Sequence, residues 1–296
     1  MTIITAPRVE SLIGVRGNRE LGIAEFGPPD GTAVLWFHGT PGARRQVPEE
    51  ARRIADAEGI RIIGIDRPGV GMSTPHLHRS VVDHVADVEI VLDRLHINEV
   101  SVIGLSGGGP YALALAHELP DRVRAVGILG GVVPTRGPDA VKGGLVGFGM
   151  RFAPVMPLTR RPMGLTLTAL VRALRPVGIH ALNLYARISP EGDRIVLEQP
   201  EISSMFIDDL GTNGGKSMQA FIDDAILFTR HWGFDHRAVQ QPVTWWHGDA
   251  DNIVPLSHAQ QFVPTLRNAE LRIRPGESHL GGLGAAREVL HAVVGR

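Results

Sequence analysis

The chain has 296 residues, of which 43% are hydrophobic and 21% charged, with a formal net charge of −1. That balance belongs to a globular chain with a substantial core, and it lacks the strongly basic footprint of a nucleic-acid binder. There is no cysteine, which excludes a disulfide framework, a thiol nucleophile and a cysteine-ligated metal. It also agrees with a cytoplasmic location, as does an N-terminal stretch without a basic segment leading into an apolar one.

In chain order, residues 12–26 predict an antiparallel hairpin turning at Gly17-Asn18 and forming one sheet edge. Ala33–Phe37, Ile60–Ile65, Val100–Leu105, Val123–Leu129, Val243–Trp246 and Glu270–Arg274 are short, mostly apolar runs, the pattern of strands buried on both faces. Helical patterns fall at Val47–Ala57, Val81–Leu95, Pro110–Leu119, Leu256–Leu266 and Ala285–Val294. In the second, Val81, Val85, Val88, Ile90, Val91 and Leu95 follow the 3.6-residue period closely enough for one apolar face. Strands alternating with helices predict an α/β fold, a mostly parallel, doubly wound sheet. No run approaches the ~20 apolar residues of a membrane span.

The alternation stops between about Val132 and Gln241 and resumes at Val243. The interruption is rich in proline and in helical patches, and holds five of the seven methionines, Met150, Met156, Met163, Met205 and Met218. Residues 141–190 carry seven Lys or Arg and no Asp or Glu, and read as scattered arginines on a solvated face. The expected organisation is one core, residues 1–131 and 242–296, with a helical insertion at 132–241 packed over one end of the sheet. The glycine-rich run at 143–149 follows no strand and precedes no ribose-binding acid, so it is not a dinucleotide loop.

Chemistry concentrates at Gly104-Leu105-Ser106-Gly107-Gly108, a G-x-S-x-G pattern with a buried strand before it and a helix after it. A serine hydroxyl needs a base to take its proton and an acid to orient that base. After Val243–Trp246 come Asp249 and Asp251, and after the last strand comes His279, which gives the chain order Ser, Asp, His. His258 competes as base but is expected on a helix facing solvent. His76-x-His78 has neither cysteine nor a third ligand nearby, and no metal site is expected there.

On these residues the chain resembles the α/β-hydrolase family over most of its length outside the insertion. The resemblance implies that Asp251, in Gly248-Asp249-Ala250-Asp251-Asn252-Ile253-Val254-Pro255, is the acid, with Asp249 left to brace the turn. It implies that His279, closing Gly276-Glu277-Ser278-His279, is the base. His38-Gly39-Thr40-Pro41-Gly42 resembles the family's oxyanion loop, so the backbone N–H groups of Thr40 and Gly107 form the oxyanion hole. His38 then locks that loop, and Asp66-Arg67-Pro68-Gly69-Val70-Gly71-Met72-Ser73 is scaffold.

Within the family, Ser106 argues against epoxide hydrolases and haloalkane dehalogenases, whose elbow carries Asp. The loop motifs are similar to those of prolyl aminopeptidases, which typically carry Trp where this chain has Gly107. The expectation is a capped serine esterase acting on a small-molecule ester of a small to medium, largely apolar acid, with no cofactor and no metal. A prolyl aminopeptidase-like enzyme, a carbon–carbon bond hydrolase and a ligand-binding receptor with weak hydrolysis are the alternatives.

Overall fold

Eight strands form one sheet in the order β1-β2-β4-β3-β5-β6-β7-β8. The structure, a computed structural model, describes residues 4–141, 156–174, 180, 184, 186–187, 189–209 and 217–296. β1 (Val9–Val15) and β2 (Arg19–Phe26) are the expected edge hairpin, closed by a turn with both Gly17 and Asn18 at positive φ. β2 pairs antiparallel with β4, and all later pairings are parallel.

β3 (Thr32–Phe37) shows why the apolar runs have no polar alternate. Its Leu35 and Phe37 join one core cluster and its Val34 and Trp36 the other, so both faces of the strand are covered. α1 (Glu49–Glu58) follows and ends at Gly59, whose φ of 66° is open to glycine at little strain. β4 (Ile60–Ile65) leads through a short 3-10 turn at Val82–His84 to α2 (Val85–Arg94), so the apolar face expected from Val81 begins in a tighter turn. β5 (Val100–Leu105), α3 (Gly109–Glu118) and β6 (Val123–Leu129) complete the first half of the core. α2 and α3 supply one cluster and α1 the other.

Four described helices lie between β6 and β7: α4 (Met156–Leu174), α5 (Glu191–Leu197), α6 (Pro200–Asp209) and α7 (Gln219–Phe228). The glycine-rich run 143–149 and Lys142, Met150, Arg151 and Arg175 lie outside the described residues. Met156 packs with Ile222 and Ile226 of α7, while Met205 joins the sheet cluster, so these methionines fill gaps between elements. One residue of the basic segment finds its partner beyond that segment: Arg160 pairs with Asp223 across 63 residues of chain. β7 (Val243–Gly248), α8 (Leu256–Phe262), β8 (Ala269–Arg274) and α9 (Ala286–Val294) then finish the sheet. His258 corrects an expectation. It lies on α8 but is buried, because this short helix sets Ala259 and Phe262 into the core and draws His258 under cover with them.

Insertion carboxylates fasten the helices to core loops. Asp193 of α5 accepts from Leu280 N at 2.7 Å and from Ser278 Oγ at 3.1 Å. Asp209 of α6 accepts from Ala43 N at 2.8 Å and Arg45 N at 3.2 Å. Asp224 of α7 meets Arg67, Thr40 and Tyr111. Full burial, reinforced by the charges of Asp66 and Asp208, pushes the Asp209 carboxyl up to about 7.

Two outcomes follow for stability. Leu35→Ala should cost about 2–5 kcal/mol, read from the urea midpoint, whereas Leu12→Ala, at a residue 44% exposed, should stay within about 0.5 kcal/mol. The folded chain holds the Asp209 proton to higher pH than the unfolded chain, whose Asp releases it near pH 4. Its contribution is therefore full below pH 4 and lost as pH rises through about 7. Asp209→Asn should flatten the fall in urea midpoint across that window, and an unchanged slope would show that the carboxyl is ionised throughout.

Candidate active site

Between β5 and α3 the chain reverses within one residue. Ser106 has φ 49°, in the left-handed region that costs a residue with a side chain of order 1–3 kcal/mol. The turn stays tight because there is no room to relax it. A Cβ on Gly104 would stand 2.7 Å from Gly108 O, and one on Gly108 would stand 2.4 Å from Phe37 O. Those glycines let β5, α3 and β3 approach backbone to backbone, and the serine projects beyond the sheet's carboxyl edge.

The loops after β7 and β8 bring the other two residues to it. Ser106 Oγ lies 2.9 Å from His279 Nε2, and His279 Nδ1 lies 2.8 Å from Asp251 Oδ2. Asp251 Oδ1 accepts from Ile253 N and Val254 N, both at 2.8 Å, which fixes the carboxylate plane. Burial alone would raise the Asp251 carboxyl, but hydrogen bonds from His247 and His279 and the charge of His279 outweigh it and hold it well below the usual range. An ionised Asp251 accepts a hydrogen bond from Nδ1–H of His279, which keeps that proton on Nδ1 and leaves Nε2 with a lone pair toward the serine. That geometry can remove a hydroxyl proton as the oxygen attacks.

The rival residues stand elsewhere. Asp249 is exposed and accepts from Gly276 N at 2.8 Å, tying the acid loop to the base loop. His38 is buried with Nδ1 2.7 Å from Gly39 O, and burial beside Arg67 holds it well below its ordinary value, a neutral ring. His247 donates from Nε2 to Val254 O at 2.7 Å and accepts from Trp245 Nε1, and so backs Asp251.

Thr40 and Gly107 face each other across the site. A Cβ on Gly107 would meet Thr40 Oγ1 at 2.3 Å and Phe228 Cζ at 3.1 Å, so a side chain does not fit there. The Thr40 loop rests on buried Arg67, which donates to His38 O at 2.5 Å, Gly39 O at 2.9 Å and Thr40 Oγ1 at 2.7 Å. Asp224 balances that charge at 2.7 Å, and accepts from Tyr111 at 2.8 Å and from Thr40 Oγ1 at 2.9 Å. Gln46 Oε1 accepts from Gly39 N at 2.6 Å. Sequence reasoning left Arg67 in the scaffold and missed Asp224. An ion pair spanning 157 residues has no local signature, and the Asp223-Asp224 doublet was the single trace of it.

His78, unlike expectation, has further candidate ligands beside it: with His84 and Asp87 it places three ligand atoms within 4.8 Å of one another. Both Asp87 oxygens, however, accept from the Arg19 guanidinium at 2.6 and 2.8 Å. A cation there would share its one carboxylate with an arginine already in place, so the cluster is read as packing around the Tyr111 ring.

Comparison with known proteins agrees with this architecture. The alpha/beta hydrolase fold family model matches residues 32–284. The non-heme haloperoxidase of Rhodococcus erythropolis is 28% identical over 257 residues, covering 84% of this chain and 86% of that protein. The proline iminopeptidase of Neisseria meningitidis serogroup A is 36% identical over 120 residues, 40% of this chain, and the chain spans 38% of that relative's length. Bromoperoxidase from Bacillus anthracis superposes with a TM-score of 0.69 at 19% identity, covering 97% of this chain and 100% of that one. An esterase from Exiguobacterium antarcticum gives 0.67 at 18% identity, covering 97% and 98%. The family match over most of the chain and the eight-stranded sheet lead to one conclusion: this chain belongs to the alpha/beta hydrolase fold family.

Proposed function

We propose that the protein is a serine hydrolase cleaving carboxylic esters of a small to medium, largely apolar acid through an acyl-enzyme. The observation that carries this reading is the hydrogen-bonded line from Ser106 Oγ through His279 to Asp251, at 2.9 and 2.8 Å. Ser106 attacks the ester carbonyl while His279 takes its proton, and Asp251 orients the ring and stabilises its charge. The Thr40 and Gly107 N–H groups hold the oxyanion. His279 then protonates the departing alcohol, and water attacks the acyl-enzyme by the same exchange. No cofactor or metal enters this reaction.

In this reading residues 132–241 form a cap on a core of residues 1–131 and 242–296. Phe228 of α7, against Gly107 and 6.3 Å from the Tyr111 ring, gives the acyl side an apolar wall. A cytoplasmic location suits the lack of cysteine, and no described helix is long and apolar enough to cross a membrane.

The local match to proline iminopeptidases favours a second reading, cleavage of an N-terminal proline. Such a substrate needs a buried carboxylate free to meet its amine. Asp193, Asp209, Asp223 and Asp224 of the insertion are buried but engaged with core or insertion partners, which ranks the ester first. Filling of the Gly107 position by Thr40 and Phe228 points the same way.

A fluorophosphonate should label Ser106 stoichiometrically, and p-nitrophenyl butyrate should turn over many times. Ser106→Ala should lower that turnover by about 10⁴-fold or more. Labelling without turnover would mark a binding protein, faster prolyl-arylamide hydrolysis would favour the peptidase, and unchanged turnover in Ser106→Ala would overturn the mechanism. Asp251→Asn should lose on the order of 10⁴ in kcat. Asp249→Asn should lose far less, and the reverse order would move the acid to Asp249.

A further inference from the structure

The loop that carries His279 is held on one side by Asp249, through Gly276, and by Asp251, through the imidazole. Its other side meets α5. Asp193 is 1% exposed, and its two oxygens reach the residues on either side of the histidine, Ser278 Oγ at 3.1 Å and Leu280 N at 2.7 Å. Gly192 makes the approach possible. A Cβ there would stand 2.6 Å from both Gly276 O and Ser278 N and 2.9 Å from Glu277 Cα, so the first turn of α5 lies directly on the loop backbone.

A buried carboxylate with two donors, next to a residue that must hold its ring to a fraction of an ångström, is a positioning device. Burial raises the Asp193 carboxyl and the charge of Asp251 adds to this, against the hydrogen bonds from Leu280 N and Ser278 Oγ and the charge of His279. The charged and titratable neighbours of this loop are Asp251 and His247 from the β7 side, Asp193 from α5, and Glu277 paired with Arg274 at the end of β8.

We infer that Asp193, carried by the helices between β6 and β7, is a positioning residue for His279, gripping the loop on both sides of the base. The inference rests on the serine-hydrolase reading above. It makes the insertion part of the acid–base machinery, so removing the contact slows the chemical step and leaves ester binding in place.

The test uses the full chain, p-nitrophenyl butyrate, and the rate of fluorophosphonate labelling at Ser106. Asp193→Ala should lower kcat about 10- to 100-fold with KM within about twofold, the loss expected for a small misplacement of the base. Asp193→Asn keeps an acceptor for Leu280 N and should recover part of that loss, with kcat above that of Asp193→Ala. Gly192→Ala, which pushes α5 off the loop, is an independent variant and should lower kcat in the same way.

A lowered thermal midpoint with kcat unchanged in Asp193→Ala, or with no recovery of kcat in Asp193→Asn, would reduce Asp193 to a helix anchor and overturn the inference. Absence of labelling in the parent protein, or its persistence in Ser106→Ala, would overturn the hydrolase reading and this inference with it. Labelling that depends on Ser106 but ignores the Asp193 and Gly192 variants would overturn this inference alone.

Discussion

The backbone at Ser106 is the constraint on which the rest of the molecule depends. A serine at φ 49° is held there only because three backbone segments close on it, β5, the start of α3 and the end of β3. None can withdraw without opening the parallel sheet, whose β3–β5 pairing runs to Gly104 itself. The strain is thus maintained by the sheet, and its result is a hydroxyl presented away from competing side chains. The loops after β3, β7 and β8 all end at the same edge, which is where a parallel sheet gathers its carboxyl termini.

Charge burial is the second theme. Arg67 and Asp224 are nearly fully buried, and neither would be tolerated alone in that environment. Both oxygens of Asp224 and the two terminal nitrogens of Arg67 also serve neighbours: Thr40, Tyr111 and two loop carbonyls. The arrangement gives the Thr40 loop a fixed shape and makes the core incomplete without α7. Asp209 and Asp193 extend the same logic to two more loops. Buried carboxylates thus tie the described helices between β6 and β7 to loops of the sheet that lie far from them in the chain.

Much of the core was legible because strands buried on both faces read as continuous apolar runs; Glu270–Arg274, read the same way, is instead the half-exposed edge strand β8, with Ile273 46% exposed. The bounds at Ile60–Ile65, Val100–Leu105 and Val123–Leu129 fall where the apolar runs begin and end. Ser106 and His279 could be proposed from chain order and their place after strands, whereas the preference for Asp251 over Asp249 came from the family resemblance. What stayed hidden depends on separation in sequence. Asp224 with Arg67, and Asp193 with Ser278 and Leu280, join segments whose own patterns say nothing of each other. His258 was misjudged for a related reason: a helical period gives a facing direction only where the helix is long enough to have a wet side, and α8 spans seven residues.

The distance along the chain between Ser106 and His279, 173 residues, orders events in time. The elbow and its glycines are set by β3, β5 and α3, all within the first 118 residues, whereas the base arrives with the loop after β8. Loop closure over so long a span is entropically late relative to the local hairpin β1–β2 and the neighbouring parallel units. On the proposed serine-hydrolase reading, a growing chain carries Ser106 well before His279, so that pairing waits for the loop after β8.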